Sequence, residues 1–350
     1  MKKLVSRLKD WKHWPFYIFY FPLFPAWFSY YIKSRSLWYF SASNPTIQFG
    51  GFEGETKTEI YKQLPSPLLP ATIYAHAKED FNNIQKKLSA SGIPFPFIVK
   101  PDAGMKGIMC RKIENIAQLQ SYHTAMPADY LIQEWISMPE EISVFYIRMP
   151  WKNKGKITAI IQKQLAQVSG NGISTLKQLI MSNAGLNDIK SRLLKTYKHQ
   201  LNNVPKQGEK FILSHIANIP SGAVFTNITH LCNDTVLQFF DEISRTTMFY
   251  YGRYDIKCNS VEDFLHLRHL CFIEFNGAGS VPNHVFTGMY SIRQAYAEIK
   301  KHWKDLYDIS VYNHQQGLPY WSLAKGWKFM GSTKKHFDTL KKVNRKLQLP

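Results

Sequence analysis

A chain of 350 residues is long enough to bury a sizeable core in two or three packed layers, and an apolar content of 45% excludes a disordered chain. The formal charge of +19, from 44 basic against 25 acidic residues, favours anionic partners: nucleotides, acidic lipids or nucleic acid. Cys110, Cys232, Cys258 and Cys271 show neither CxxC spacing nor a secreted disulfide framework, which points to a reducing compartment and no structural zinc. The basic residues concentrate at the two ends: Lys2, Lys3, Arg7, Lys9, Lys12, Lys33 and Arg35 precede Glu53 with Asp10 as the one acid among them, and Asp305, Asp308 and Asp338 are the only acids of the last fifty residues. No RNA-binding motif accompanies this charge, so nucleic acid is not an expected partner.

In chain order, the first element is the uncharged aromatic stretch at 14–32, flanked by Lys and Arg. Its length nearly suits a membrane span, but Pro15, Pro22 and Pro25 break a regular helix, and Trp and Tyr favour the headgroup region. No small-residue cleavage site follows, which argues against a signal peptide. The expectation is a membrane-surface arm over 1–40, with a buried or dimer-forming segment and a true span as alternatives. A cytoplasmic protein, peripheral at the inner face of an anionic membrane, would follow. A polar segment at 41–75 comes next, then a helix over 77–91, a strand at 95–100, a glycine loop at 102–107 and a returning strand at 108–113. A helix at 114–121 and strands at 130–136, 141–149 and 156–168 lead to helical residues 176–200. A strand at 211–217, a helix at 234–251 and strands at 254–258 and 272–276 complete the middle. A basic amphipathic helix at 334–347 has Phe337, Leu340, Val343 and Leu347 inside. The sum is an α+β chain with largely antiparallel sheets.

Two late strands carry the chemistry. Arg253, Asp255 and Lys257 alternate onto one face of their strand, and Glu274 and Asn276 do the same on theirs. If the strands pair, the Asp, Glu and Asn oxygens converge into a set of hard ligands suited to Mg²⁺ with phosphate and water. The plainer alternative is a surface ion pair, Asp255–Lys257 or Arg253–Glu274. Lys100 ends a strand, and Asp102, Gly104 and Gly107 belong to a loop whose small residues let backbone N–H groups approach phosphate. Neither GxxxxGK[ST] nor GxGxxG is present.

The order of these pieces resembles the ATP-grasp superfamily. VKPDAGMKG (99–107) resembles its lysine strand and glycine-rich lid, IQEWI (132–136) its hinge, Glu141 with ISV its ribose carboxylate, and GRYDIK and FIEFN its metal strands. VSGNGISTLKQLI (168–180) and the segment from Gly208 to Thr229 are similar to the branch of cyanophycin synthetase, glutathione synthetase and D-alanine–D-alanine ligase. The resemblance implies an ATP-grasp fold of two α+β subdomains gripping ATP, with an atypical aromatic N-terminal arm. Four parts follow: the arm at 1–40, a substrate-side segment at 41–95, the ATP-grasp domain at 96–300 and a basic tail at 301–350. By the same resemblance, ATP is bound by Lys57 (Lys62 is its rival), by Lys100, by Asp102, Gly104, Lys106 and Gly107 of the lid, by Gln133, Glu134 and Ile136 at adenine, and by Glu141 at ribose. Asp255, Glu274 and Asn276 hold two Mg²⁺ ions, Mn²⁺ being the alternative metal, and Arg253 is catalytic. The implied function is ATP-dependent joining of a small-molecule carboxylate to an amine through an acyl-phosphate, with a cell-envelope or lipid-linked substrate suggested by the arm. A phosphotransferase and a non-catalytic nucleotide-binding protein at the membrane are the rival readings. Two departures from the family stand out. No Rossmann-like subdomain opens the chain, and the family's Asn-x-x-Pro-Gly wording is missing after Asn276.

Overall fold

Every strand pairing among the described residues is antiparallel, as the alternating strands lead one to expect. The computed structural model describes residues 11, 14–105, 107–214, 221–287 and 290–347. The first two α-helices among the described residues are α1 (Phe16–Tyr20) and α2 (Phe24–Ser34), parted by a 3-10 turn that holds Pro22. After α3 (Lys57–Tyr61), capped by the Thr56 hydroxyl, come β1 (Thr72–Ala75), α4 (Phe81–Ser91), β2 (Phe97–Pro101), β3 (Arg111–Ile113), α5 (Ile116–Ala125) and β4 (Tyr130–Glu134). These strands form a four-stranded sheet in the order β1-β4-β2-β3.

Residues 135–139 cross to a second lobe made of β5 (Glu140–Ile147), β6 (Lys156–Gln164), β7 (Gln167–Ser169), α6 (Leu176–Ser182), α7 (Lys190–Thr196), β8 (Lys210–Ile212), β9 (Val224–Asn227), α8 (Asp234–Thr247), β10 (Tyr251–Cys258), α9 (Val261–Leu265) and β11 (Cys271–Asn276). Its main sheet runs β11-β10-β5-β6-β9, and β7 and β8 form a separate pair. Two long helices close the chain, α10 (Ile292–Gln315), opened by a Ser291–Gln294 capping box, and α11 (Leu323–Lys346), capped by Ser322.

Local chemistry explains where the elements depart from the sequence reading. The helix expected over 176–200 breaks at Asn183, whose side chain accepts from the Gly185 N–H and starts a 3-10 turn instead. The strand expected over 156–168 divides, because Leu213 donates to the Ala166 carbonyl and draws β7 towards β8. The helix at 234 stops at Thr247, where Met248 turns left-handed (φ 56°). Cys110 lies outside β3, after Met109 at φ 60°. Residues 215–217 of the strand expected at 211–217 fall outside the described residues.

One face of the main sheet packs α8 through Val144, Tyr146, Ile160, Tyr254, Ile256, Val236 and Phe240. The four-stranded sheet buries Phe97, Val99, Ile113 and Ile132 against α4, α5 and Phe337 and Leu340 of α11. The apolar side of the tail helix is therefore internal, and the helix begins eleven residues earlier than the amphipathic pattern suggested. The arm is also half internal: Phe19 and Leu23 pack on Ala295 and Ile299 of α10. No helix among the described residues is long and apolar enough to cross a membrane.

Leu340 is fully enclosed, so Leu340→Ala is expected to lower the unfolding free energy by about 2–5 kcal/mol. Urea denaturation reads this directly. A change within about 0.5 kcal/mol, typical of an exposed position, would contradict the packing of α11 on the sheet.

Candidate functional site

Alternation in four adjacent strands builds one charged surface. Arg253, Asp255 and Lys257 of β10 lie on the side opposite Tyr254 and Ile256, which are in the core. The registers set Asp255 opposite Glu274 of β11 and Ser143 of β5, Arg253 opposite Asn276 and Phe145, and Lys257 opposite Glu141. Lys163 of β6 stands across from Glu141. Opposed residues hold their Cβ atoms about 4.5–5.5 Å apart, so three rows of side chains cross the sheet. The apolar remainder of this face, Phe145, Ile147, Ala159 and Ile161, shares a core with the aromatic segment Trp38–Phe40 and with α10. One end of the face is packed, and the other carries the charges.

Asp255 is the centre of that end, with its side chain 4% exposed. Arg253 donates from Nε and Nη2 to the two carboxylate oxygens, each at 3.2 Å. Lys163 Nζ lies 3.0 Å from Oδ1, and the Ser143 hydroxyl donates to the same oxygen. Burial alone would raise the Asp255 carboxyl; Arg253, Lys163 and Ser143 outweigh it and hold the group well below the usual carboxylate range. Lys163 also bridges to Glu141 at 2.9 Å. Asp255 thus pairs with Arg253 and Lys163, and neither of the ion pairs considered from the sequence forms. The Glu274 side chain has no hydrogen bond or close ion pair among the described residues, and Asn276 Nδ2 is enclosed without a partner among them. A buried carboxylate, a free carboxylate and an amide on two registered strands fit a hard cation such as Mg²⁺.

The first lobe brings lysines to the same place. Lys100 is the fourth residue of β2; its Nζ donates to the Tyr61 hydroxyl at 3.0 Å and to the Ile273 carbonyl, beside Glu274, at 3.3 Å. Lys57 opens α3, and its Nζ stands 3.5 Å from where a Cβ on Gly104 would be. Asp102 accepts from the Thr58 N–H at 2.9 Å, so its carboxylate anchors α3 to the loop. Gly107 is exposed with φ 72°, and Lys106 lies outside the described residues. On β4, the Gln133 amide donates to Thr72 and Tyr61, and Glu134 accepts from the Ala71 N–H. Ile136 is half-buried in the crossing between the lobes. The structure therefore brings Lys100, Arg253, Asp255, Glu274 and Asn276 together and sets Lys57 against Gly104 of the loop, while Asp102, Gln133, Glu134 and Glu141, like Asp255, use their side chains on protein partners.

Sequence reasoning missed Lys163, Ser143 and Glu55. Lys163 and Ser143 reach Asp255 only through long-range strand pairing, although each occupies the right parity of an alternating strand. Glu55 precedes Lys57, and its Oε2 is enclosed without a hydrogen-bond partner among the described residues. Burial pushes its carboxyl up to about 7, its own backbone hydrogen bond and Lys57 opposing and Glu274 adding.

No protein-family model matches the sequence, and neither does any curated protein. Among solved structures the chain is similar to a D-alanine–D-alanine ligase from Bacillus anthracis, with 16% identity over 75% of this chain and 69% of that one and a TM-score of 0.43. It is similar to a bifunctional glutathione synthetase from Pasteurella multocida (13% identity, 71% of this chain, TM-score 0.40), of whose length it spans 36%. It is also similar to the ATP-grasp ligase PsnB complexed with minimal precursor, with 12% identity over 71% of this chain and 60% of that one and a TM-score of 0.37.

Glu55 gives the protein a characteristic pH dependence. Its carboxyl titrates at the ordinary 4.5 when unfolded and near 7 when folded, so between these values the native state binds more protons. The Glu55 contribution to stability is full below pH 4.5, falls as pH rises towards 7 and is constant above. Glu55→Gln should therefore gain stability relative to wild type across that window. Urea midpoints that stay parallel for the two proteins from pH 4.5 to 8 would contradict the burial of Glu55.

Proposed function

We propose that this chain is an ATP-dependent carboxylate–amine ligase that works through an acyl-phosphate. The observation that carries the reading is the convergence of Lys100, reaching the Ile273 carbonyl, with the registered pairs Asp255–Glu274 and Arg253–Asn276. Lys100 of one sheet and oxygens of another meet between the lobes, with Lys57 of α3, Lys163 and Arg253 as the further cations a triphosphate requires. In this reading Lys57 and Lys100 take phosphate oxygens, and the 102–107 loop covers them with backbone N–H groups. Ile136 and the backbone of the crossing border adenine, and Glu141 faces ribose. Asp255, Glu274 and Asn276 would hold Mg²⁺, which neutralises phosphate charge when bound.

Arg253 is fixed by Asp255 and, with the Asn283 amide oxygen turned towards it, by a 3.0 Å hydrogen bond from Nη1. A guanidinium so held is pre-aimed at charge developing on the transferred phosphoryl group. A substrate carboxylate oxygen forms a bond to the γ-phosphorus as the bond to ADP breaks. An amine nitrogen then bonds to the acyl carbon, phosphate leaves with the electron pair, and the amine proton passes to a base. Glu55, two residues before Lys57 and with Oε2 lacking a hydrogen-bond partner among the described residues, is the candidate for that base.

Incubation with Mg-ATP and a fractionated envelope extract should give ADP, free phosphate and a product equal to two metabolites less water by mass spectrometry. Asn276→Ala and Glu274→Gln should lower ADP formation by about 10²-fold or more while leaving the circular dichroism spectrum unchanged. Wild-type turnover in both variants would refute the site. A phosphorylated product without free phosphate would replace ligation by phosphoryl transfer.

We propose also that the arm meets an anionic membrane surface. Tyr17, Phe21, Phe24, Phe28 and Ile32 follow helical spacing and are exposed, Tyr17 to 84% and Phe21 to 78%. Lys33 and Arg35 lie beside this stripe in a chain of charge +19. In liposome flotation the full chain should float with vesicles containing acidic lipid, and Phe21→Ser/Phe24→Ser/Phe28→Ser should remain below them. Equal partitioning of the two removes the proposal.

A further inference from the structure

A second cluster lies outside the proposed ligand set. His284 follows Asn283 in a 3-10 turn beyond β11, and Glu298 and His302 sit one helical turn apart on α10. Both imidazoles are enclosed, at 1% and 0% exposure, and none of their four ring nitrogens has a hydrogen-bond partner among the described residues. One carboxylate oxygen faces both rings: Glu298 Oε1 is 3.3 Å from His302 Nε2 and 3.6 Å from His284 Nε2. Aromatic rings pack on both imidazoles, Phe145 and Tyr251 against His302 and Tyr290 against His284, and Lys301 Nζ lies 4.0 Å from the other Glu298 oxygen.

An enclosed polar nitrogen left without a partner costs free energy; among the described residues both Nδ1 atoms have none, and the two Nε2 atoms share one Glu298 oxygen. A hydrogen bond to Glu298 would relieve one nitrogen of each ring, yet the geometry is that of a charge contact and not of an aligned bond. Two ligand atoms on a tetrahedral zinc ion, each about 2.1 Å from the metal, stand about 3.4 Å apart. The two His–Glu separations bracket that value, and all three ligand atoms lie within 4.8 Å of one another. Two imidazoles and one carboxylate suit zinc and other late first-row cations, in contrast to the oxygen set around Asp255.

We propose that His284, Glu298 and His302 bind one Zn²⁺-type cation, which ties the turn after β11 to α10. The fourth position is left to water or another oxygen. Asn283, next to His284, contacts Arg253, so the ion would fix the backbone that supports the candidate catalytic guanidinium. His284 and His302 therefore act as ligands, and the site positions Arg253 from a distance. The cysteine spacing gave no sign of zinc; the signal in the sequence is Glu-x-x-x-His in a helix, which has meaning only once His284 is brought beside it.

The test uses the full chain without a histidine tag, stripped with a chelator and titrated with Co²⁺. One Co²⁺ per chain should bind with the intense visible absorption of tetrahedral cobalt, and Zn²⁺ but not Mg²⁺ should displace it. The same stripped protein should gain several degrees in melting temperature when Zn²⁺ is added. Glu298→Gln/His302→Gln should lose the cobalt spectrum, and Asp255→Asn should keep it, which separates this site from the one proposed for Mg²⁺. A folded wild-type protein that takes up no stoichiometric cobalt and shows no zinc-dependent melting shift overturns the proposal. So does a cobalt spectrum that persists in the double variant.

Discussion

The arrangement depends on the register in which β10 lies between β5 and β11. Because side chains alternate with period two, a slip of one residue would turn Arg253, Asp255 and Lys257 into the core packed on α8 and bring Tyr254 and Ile256 to the charged face. Burying Asp255 costs several kcal/mol unless the charge is matched, and removing one partner leaves a worse situation than never having had the pair. Arg253, Lys163 and Ser143 match it only when three strands are in their observed pairing. The charge set is thus a lock on register as well as chemistry, and no single strand carries enough of it to form alone.

The ends of the chain complete that face. Gly277 follows Asn276 and meets the Gly50–Gly51 backbone so closely that a Cβ would lie 2.5 Å from the Gly50 carbonyl oxygen, while Ala278 donates to that same oxygen. The segment after the aromatic arm is in this way bound to the strand that bears Glu274 and Asn276. At the other end, His336 of α11 donates to the Ala103 carbonyl at 2.7 Å, and Asn344 accepts from Met109 and Arg111. The tail helix therefore supports the glycine loop from behind, with the same helix face that periodicity alone marks as apolar.

What could be read in the sequence was what local alternation and turn chemistry encode. The parity of Arg253, Asp255 and Lys257, the shared face of Glu274 and Asn276, the strand that carries Lys100 and the glycine loop after it follow from spacing of two and from residues that favour turns, although that strand runs one residue further, to Pro101. Partners distant in the chain were not legible. Lys163 finds Asp255 only through the β5–β6 and β5–β10 pairings, and His302 finds His284 only when α10 folds against the main sheet. The arm was ambiguous for a different reason: its aromatic-rich helices satisfy a core on one side and leave aromatic rings exposed on the other, and composition cannot apportion the two sides.

The central claim is that lysines of the first lobe and the charged face of the second address one triphosphate. An acyl-phosphate derivative of ATP, which transfers its acyl group to lysine amines close to the phosphates, tests this most directly when the modified residues are mapped by mass spectrometry. Acylation of Lys57 or Lys100 together with Lys163, suppressed by excess Mg-ATP, is the expected result. Modification spread over surface lysines and insensitive to Mg-ATP, with these three untouched, would contradict it.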